Sequence, residues 1–135
     1  RSMSQFQIAV LFLMVVLWYV PVVIYSRAKF RLESGFNKSE PRKQDEALTG
    51  MAARALACHK NTLEAIALWA APAVLNILLC PYHDASLALS ILFLVSRIAY
   101  MFAYLFDLPY MRIPAFYIGL ILTIAHTIVP MTVFG

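Results

Sequence analysis

Charge is what this sequence has least of. Asp, Glu, Lys and Arg make up 13% of its 135 residues, against 62% hydrophobic; a soluble domain is typically about a quarter charged and half apolar. That scarcity excludes a water-soluble globule and, more firmly, a disordered chain. Cysteine is nearly missing too: Cys58 and Cys80 are the two present. They are too few for a disulfide framework and lack the spacing of a zinc site or a redox pair, so no metal is expected. Neither an internal repeat nor a low-complexity tract is evident. The length leaves room for one domain of a few membrane-spanning helices and none for a separate soluble catalytic module.

What is present is apolar sequence in lengths suited to a bilayer. No charged residue falls between Arg1 and Arg27, and the run centred on Ile8 to Tyr25 can cross the roughly 30 Å hydrocarbon layer. It is too long for a signal-peptide core, and no small-residue cleavage pattern follows Tyr25. It therefore reads as a first span over about residues 6–25, with Pro21 as a kink. A polar segment with Ser34-Gly35, Asn37 and Pro41 follows. Further spans are expected over about 48–79, 85–106 and 113–134. The last two connections are short, which makes consecutive helices antiparallel neighbours. The expected fold is an all-α, integral membrane four-helix bundle.

The net charge of +4 is concentrated, not spread. Arg27, Lys29, Arg31, Lys38, Arg42 and Lys43 all lie in the first connection, the pattern of a multi-pass protein whose basic loops stay cytoplasmic, not of a nucleic-acid binder. With Arg112 in the third connection, loops 1 and 3 are placed in the cytoplasm and both termini on the far side.

The informative charges are the ones a bilayer should not tolerate. The second span reads Arg54-Ala-Leu-Ala-Cys-His59-Lys60-Asn61-Thr-Leu-Glu64, and the third carries Arg97. Ionised groups at such depth cost several kcal/mol and usually face a polar cavity or one another. At 100° per residue, Asn61 lies about 20° from Arg54, Glu64 about 80° and Lys60 about 120°, all on one arc, whereas His59 points elsewhere. Arg97 and Tyr104, seven residues apart, share a face, with Tyr100 beside them. From the far-side turn, Glu64 and Asn61 stand roughly 24 and 28 Å up their helix and Arg97 and Tyr104 roughly 18 and 28 Å up theirs. These groups, with Arg112 at the mouth of the fourth span, converge in the cytoplasmic half of the membrane. A pocket with two or more cations, a carboxylate, an amide and a phenol suits a small zwitterion with extra carboxylates. The competing arrangement is an ion pair of Glu64 with Arg97 or Lys60 that merely ties two helices together.

The element Arg54-x4-His59-Lys60-Asn61-x2-Glu64, followed by Arg97-x6-Tyr104 and Arg112, resembles the MAPEG family, the membrane-associated proteins in eicosanoid and glutathione metabolism. The resemblance extends over nearly the whole chain. It implies a homotrimer with glutathione held between helices of neighbouring subunits. By that resemblance Asn61, Glu64, Arg97, Tyr104 and Arg112 would contact glutathione, with Lys60 where an arginine is common. Arg112 matches the arginine that holds the thiol as thiolate, with Tyr104 as the second catalytic candidate. The family's second arginine is replaced here by Ala57, a gap that Arg54 or Arg27 would have to fill. Ile113 stands where the prostaglandin-forming members carry a hydroxyl.

The resemblance implies a glutathione-dependent transferase or peroxidase acting on lipophilic electrophiles or lipid hydroperoxides that arrive through the bilayer, and the compact loops suggest a bacterial member, placed in the inner membrane. Two other classes compete: a non-catalytic lipid-binding or scaffold member of the same architecture, and a small multidrug-type transporter. Such transporters keep a membrane-embedded glutamate in their first helix, and here that helix has no acid. His126 is about 21 Å along its helix from Arg112 and is expected to pack between helices. The role of Trp69 is open.

Overall fold

The computed structural model describes residues 2–134. Four long helices follow one another: α1 (Ser4–Phe30), α2 (Gly50–Leu79), α3 (Asp84–Leu105) and α4 (Pro109–Phe134), with a 3₁₀ helix (Pro41–Ala47) between the first two. All four are long and apolar enough to cross a membrane. α1 packs chiefly on α2 and α3 on α4, while α2 touches the other three.

Three boundaries differ from the sequence reading. α1 runs on to Phe30, five residues past Tyr25. Nothing before Gly35 breaks it, and Arg27 and Lys29 in the last turn complement the negative end of its dipole. α4 begins at Pro109, one turn before Ile113, because a proline at the first helical position has no amide to waste and a preset φ. The first connection is not all loop. Its 3₁₀ helix is pinned to α1 by Lys29, which is 5% exposed, bonds the Pro41 carbonyl oxygen at 2.7 Å and pairs with Asp45. α1 continues through Pro21, which is buried.

The turn from α3 to α4 positions Arg112. The Leu108 amide donates to the Ala103 carbonyl at 2.7 Å and the Asp107 amide to Tyr104 at 3.3 Å, the paired bonds of a Schellman cap. Asp107 sits at its left-handed position, φ +56°, where glycine is usual. Pro109 then starts α4, and Arg112 falls on its first turn.

Away from the basic loop the bundle is held by a buried polar lattice. The Trp69 indole N–H donates to His126 Nδ1 at 3.0 Å. The Asn76 amide donates to the carbonyls of His126 (2.7 Å) and Pro72 (2.8 Å) and accepts from Ser86 Oγ at 2.6 Å. Ser90 completes it, 3.5 Å from His126 Nε2. His126, Asn76 and Ser86 are fully buried. The lattice ties α2, α3 and α4 together and gives both Trp69 and His126 a packing role. Below it and beside it lie two apolar clusters, one around Met14, Trp69 and Phe93 and one around Cys58, Tyr100 and Met101.

Two stability predictions follow from this geometry. Asp107→Gly, relieving a left-handed residue worth about 1 kcal/mol, should raise the thermal midpoint in detergent, and Asp107→Val should lower it by more. Asn76→Leu strands the Ser86 hydroxyl and the His126 carbonyl, whose own helical partner position is Pro130, without an amide. At about 0.6–1.7 kcal/mol per bond in membrane proteins, it should cost roughly 2 kcal/mol by reversible unfolding, and an unchanged midpoint would mean the lattice carries no stability.

Candidate functional site

Arg97 is the anchor of the polar end. It is 2% exposed in the middle of a membrane-spanning helix, and arginine stays charged there. Its Nη2 donates to Asn61 Oδ1 at 2.8 Å and to Thr62 Oγ1 at 3.4 Å. Its guanidinium lies 4.2 Å from the centroid of the Tyr100 ring. Burying such a charge costs roughly 3 kcal/mol on insertion scales. One short bond from a charged donor recovers roughly 1.5–3 kcal/mol, and a desolvated cation–π contact about 2. The cation is therefore tolerated without a counter-ion. Gly119 of α4 faces this side chain: a Cβ there would crowd Ser96 Oγ at 3.3 Å and make ordinary contact with Arg97 Cδ at 3.7 Å.

No carboxylate among the described residues pairs with it. Among the described residues the ion pairs are Lys29–Asp45 and Lys43–Glu40, so Glu64 neutralises neither Arg97 nor Lys60. Instead Glu64 is exposed on the outer face of α2 and lines, with Asn61 and Arg97, a cavity of about 120 Å³ walled by Phe93, Phe116 and Leu120. Opposite charges thus border one space without touching.

A second cavity of about 380 Å³ adjoins it, lined by Asn61, Tyr100, Tyr104, Arg112, Phe116 and Tyr117. Asn61 and Phe116 border both. The Arg112 guanidinium lies 4.6 Å from the centroid of the Tyr104 ring, and Tyr104 meets Tyr100 edge-on at 5.6 Å. Arg112 is partly exposed, and no acid among the described residues pairs with it. The pair of cavities presents two guanidinium groups, one carboxylate, one amide and three phenols.

Of the residues singled out from the sequence, Asn61, Glu64, Arg97, Tyr104 and Arg112 come together. The roughly 10 Å difference in backbone depth between Asn61 and Arg97 is spanned by the long arginine side chain. Two others lie elsewhere. Arg54 turns to the end of α3, where its Nε donates to the Leu105 carbonyl at 3.2 Å, a cation at a negative helix end. Lys60 is exposed and lines neither cavity. His59, off the arc as expected, packs between Trp18 and Tyr25.

The sequence reading passed over Phe116, Tyr117 and Thr62 and placed Tyr100 only as a neighbour. Phe116 was findable, four residues after Arg112 and hence on its face. Thr62 was not, since nothing in its spacing marks it as an arginine's second acceptor.

Asn61→Asp tests whether Arg97 lacks a counter-ion. It puts a carboxylate at the 2.8 Å contact and should stabilise the free protein by roughly 1–2 kcal/mol, read as a rise of a few degrees in midpoint. A fall would mean that Arg97 is already neutralised.

Residues 6–132 match the family model for the MAPEG family. No curated protein and no solved structure matches the chain.

Proposed function

Because the chain belongs to the MAPEG family and spans the membrane several times, we propose that it is a glutathione-dependent transferase or peroxidase for lipophilic substrates, working as a homotrimer. The observation that carries this reading is the unmatched pair Glu64 and Arg97, bordering one cavity with no ion pair between them. A bilayer does not leave an exposed carboxylate uncovered at helix depth. A zwitterionic guest and a neighbouring subunit answer both needs.

Glutathione suits the donor set. Its ammonium meets Glu64, its carboxylates meet Arg97 and the amide of Asn61, and its thiol lies toward Arg112 in the larger cavity. A guanidinium beside a thiol lowers its pKa and favours the thiolate, the nucleophilic form. The thiol proton leaves to solvent at the partly exposed Arg112 end. In conjugation the sulfur lone pair forms the new S–C bond while the electrophile's leaving group departs with its electron pair. Tyr104, stacked against Arg112, fixes the guanidinium and offers a phenol to the developing anion. The apolar walls, Phe116 and Tyr117, face the side from which a lipophilic partner would arrive. The bilayer concentrates that partner and excludes competing water.

One observation favours a second reading, a non-catalytic lipid-binding or scaffold protein of the same family. Arg54 is engaged by the Leu105 carbonyl and Lys60 lies outside both cavities, so no cation here replaces the one missing at Ala57. Activity separates the two readings. The purified protein should conjugate glutathione to a chlorodinitrobenzene-type probe. Arg112→Ala should lower kcat/KM roughly 100-fold, a loss of about 2.7 kcal/mol of transition-state stabilisation, with glutathione binding retained. Equal activity in both proteins would refute the role of Arg112, and no activity in wild type with a stable trimer would favour the scaffold.

A further inference from the structure

The first connection is a small folded body, and one ion pair fastens its middle to the bundle. Residues 36–49 are bracketed by two glycines in left-handed conformations, Gly35 (φ +69°) after α1 and Gly50 (φ +57°) at the start of α2. Neither has a heavy atom within 4 Å of where a Cβ would stand. No packing therefore opposes a change of backbone angle there, and glycine moves between φ regions at little steric cost. Such positions at the ends of elements are where lids hinge.

Between the glycines the segment largely satisfies itself. Asn37 Oδ1 accepts from the Ser39 and Glu40 amides at 3.0 Å, and Lys43 pairs with Glu40. The Gln44 side chain accepts from the Asn37 amide (3.0 Å) and donates to the Gly35 carbonyl (2.7 Å). Phe36 stacks on Phe30 and Leu48 is buried, but each lies within two residues of a hinge. Among the described residues, Lys29 is the one side chain of the long helices that hydrogen-bonds to the middle of the segment, through Asp45 and the Pro41 carbonyl. The segment's last three residues, Ala47, Leu48 and Thr49, form one side of a groove of about 510 Å³ whose other side is the end of α1, with Arg27 and Arg31. Both arginines are exposed and neither has an ion-pair partner among the described residues. No acidic side chain lines the groove, since Asp45 is engaged by Lys29. An anion is its complement.

We propose that residues 36–49 are a lid, hinged at Gly35 and Gly50 and latched by the Lys29–Asp45 pair, whose opening governs passage of an anionic ligand into and out of the groove of Arg27 and Arg31. That the anion is glutathione rests on the function proposed above. The pair has the properties of a latch. Lys29 is 5% exposed while the segment is down, and a shielded pair is costly to break by removing one partner. When the segment lifts, both charges return to water together, so opening strands neither of them.

Two readouts on the purified protein in detergent test the lid, the first of them needing no ligand. Trypsin has sites within the segment at Lys38, Arg42 and Lys43, and cutting there requires local opening. D45N should be cut at these sites at least fivefold faster than wild type, and the reversed pair K29D/D45K should bring the rate back to within twofold of wild type. Equal cleavage of wild type and D45N would overturn the latch. In stopped-flow binding of glutathione, D45N should raise the association and dissociation rates together, each at least threefold, with Kd moving less than twofold, because a gate acts on both directions of passage. Faster association alone would reduce the effect to the loss of a repelling charge and sink the gate. Unchanged rates alongside faster cleavage would sink it too, while leaving the glutathione reading in place. Wild type that binds no glutathione, with D45N still cut faster, would bring down the gate and the proposed function together. Should D45N fail to fold, K29M, which removes the buried charge, gives the same comparisons.

Discussion

A guanidinium buried in a membrane span has to be answered by something, and the polar half of this protein is organised by the answer given to Arg97. Asn61 and Thr62 supply oxygens and Tyr100 supplies a ring face. All three contacts satisfy geometry without cancelling charge. A carboxylate at Asn61 would have made a closed ion pair and a sealed helix contact. An amide holds the cation in place and leaves its field open to whatever enters the space beside it. Glu64 does the converse on the outer face, an anion with no ion-pair partner among the described residues.

The remainder of the fold serves to hold that arrangement at one depth. The lattice of Trp69, Asn76, Ser86, Ser90 and His126 fixes the register of α2, α3 and α4, and sliding any of them breaks several buried bonds at once. The Schellman turn through Asp107 sets where α4 begins, and therefore where Arg112 meets Tyr104. Gly119 leaves α4 room against Ser96 of α3, beside the Arg97 side chain. Order in the apolar half thus places chemistry in the polar half.

Much of this was legible in the sequence for a physical reason. A bilayer demands spans of a set length, so four apolar runs sufficed to count the helices. It also penalises charge, so Glu64 and Arg97 stood out against an apolar background, and the 100° periodicity put Asn61 beside Arg54 and Glu64. What stayed hidden was partnership through the backbone. Arg54 lies on the same arc as Asn61, yet it is drawn to the Leu105 carbonyl, an acceptor every residue carries and no sequence advertises. The bond from Trp69 to His126 joins positions 57 residues apart, and a wheel drawn on one helix does not show which residue of another stands level with it. The 3₁₀ helix was missed because Lys29 reads as one more surface cation until Asp45 and Pro41 are seen beside it.

The central claim is that the unmatched charges of Glu64 and Arg97 are completed by a zwitterion. Calorimetric titration of the detergent-solubilised protein with glutathione and with its des-amino analogue, in which glutaryl replaces the γ-glutamyl group, tests this most directly. The two ligands share thiol and carboxylates and differ in the ammonium alone. Glutathione is expected to bind, with the analogue weaker by tenfold or more, as loss of a charge-assisted contact worth at least about 1.4 kcal/mol requires. Equal affinity for the two, or binding of neither, would contradict the assignment of Glu64 and with it the reading of the whole pocket.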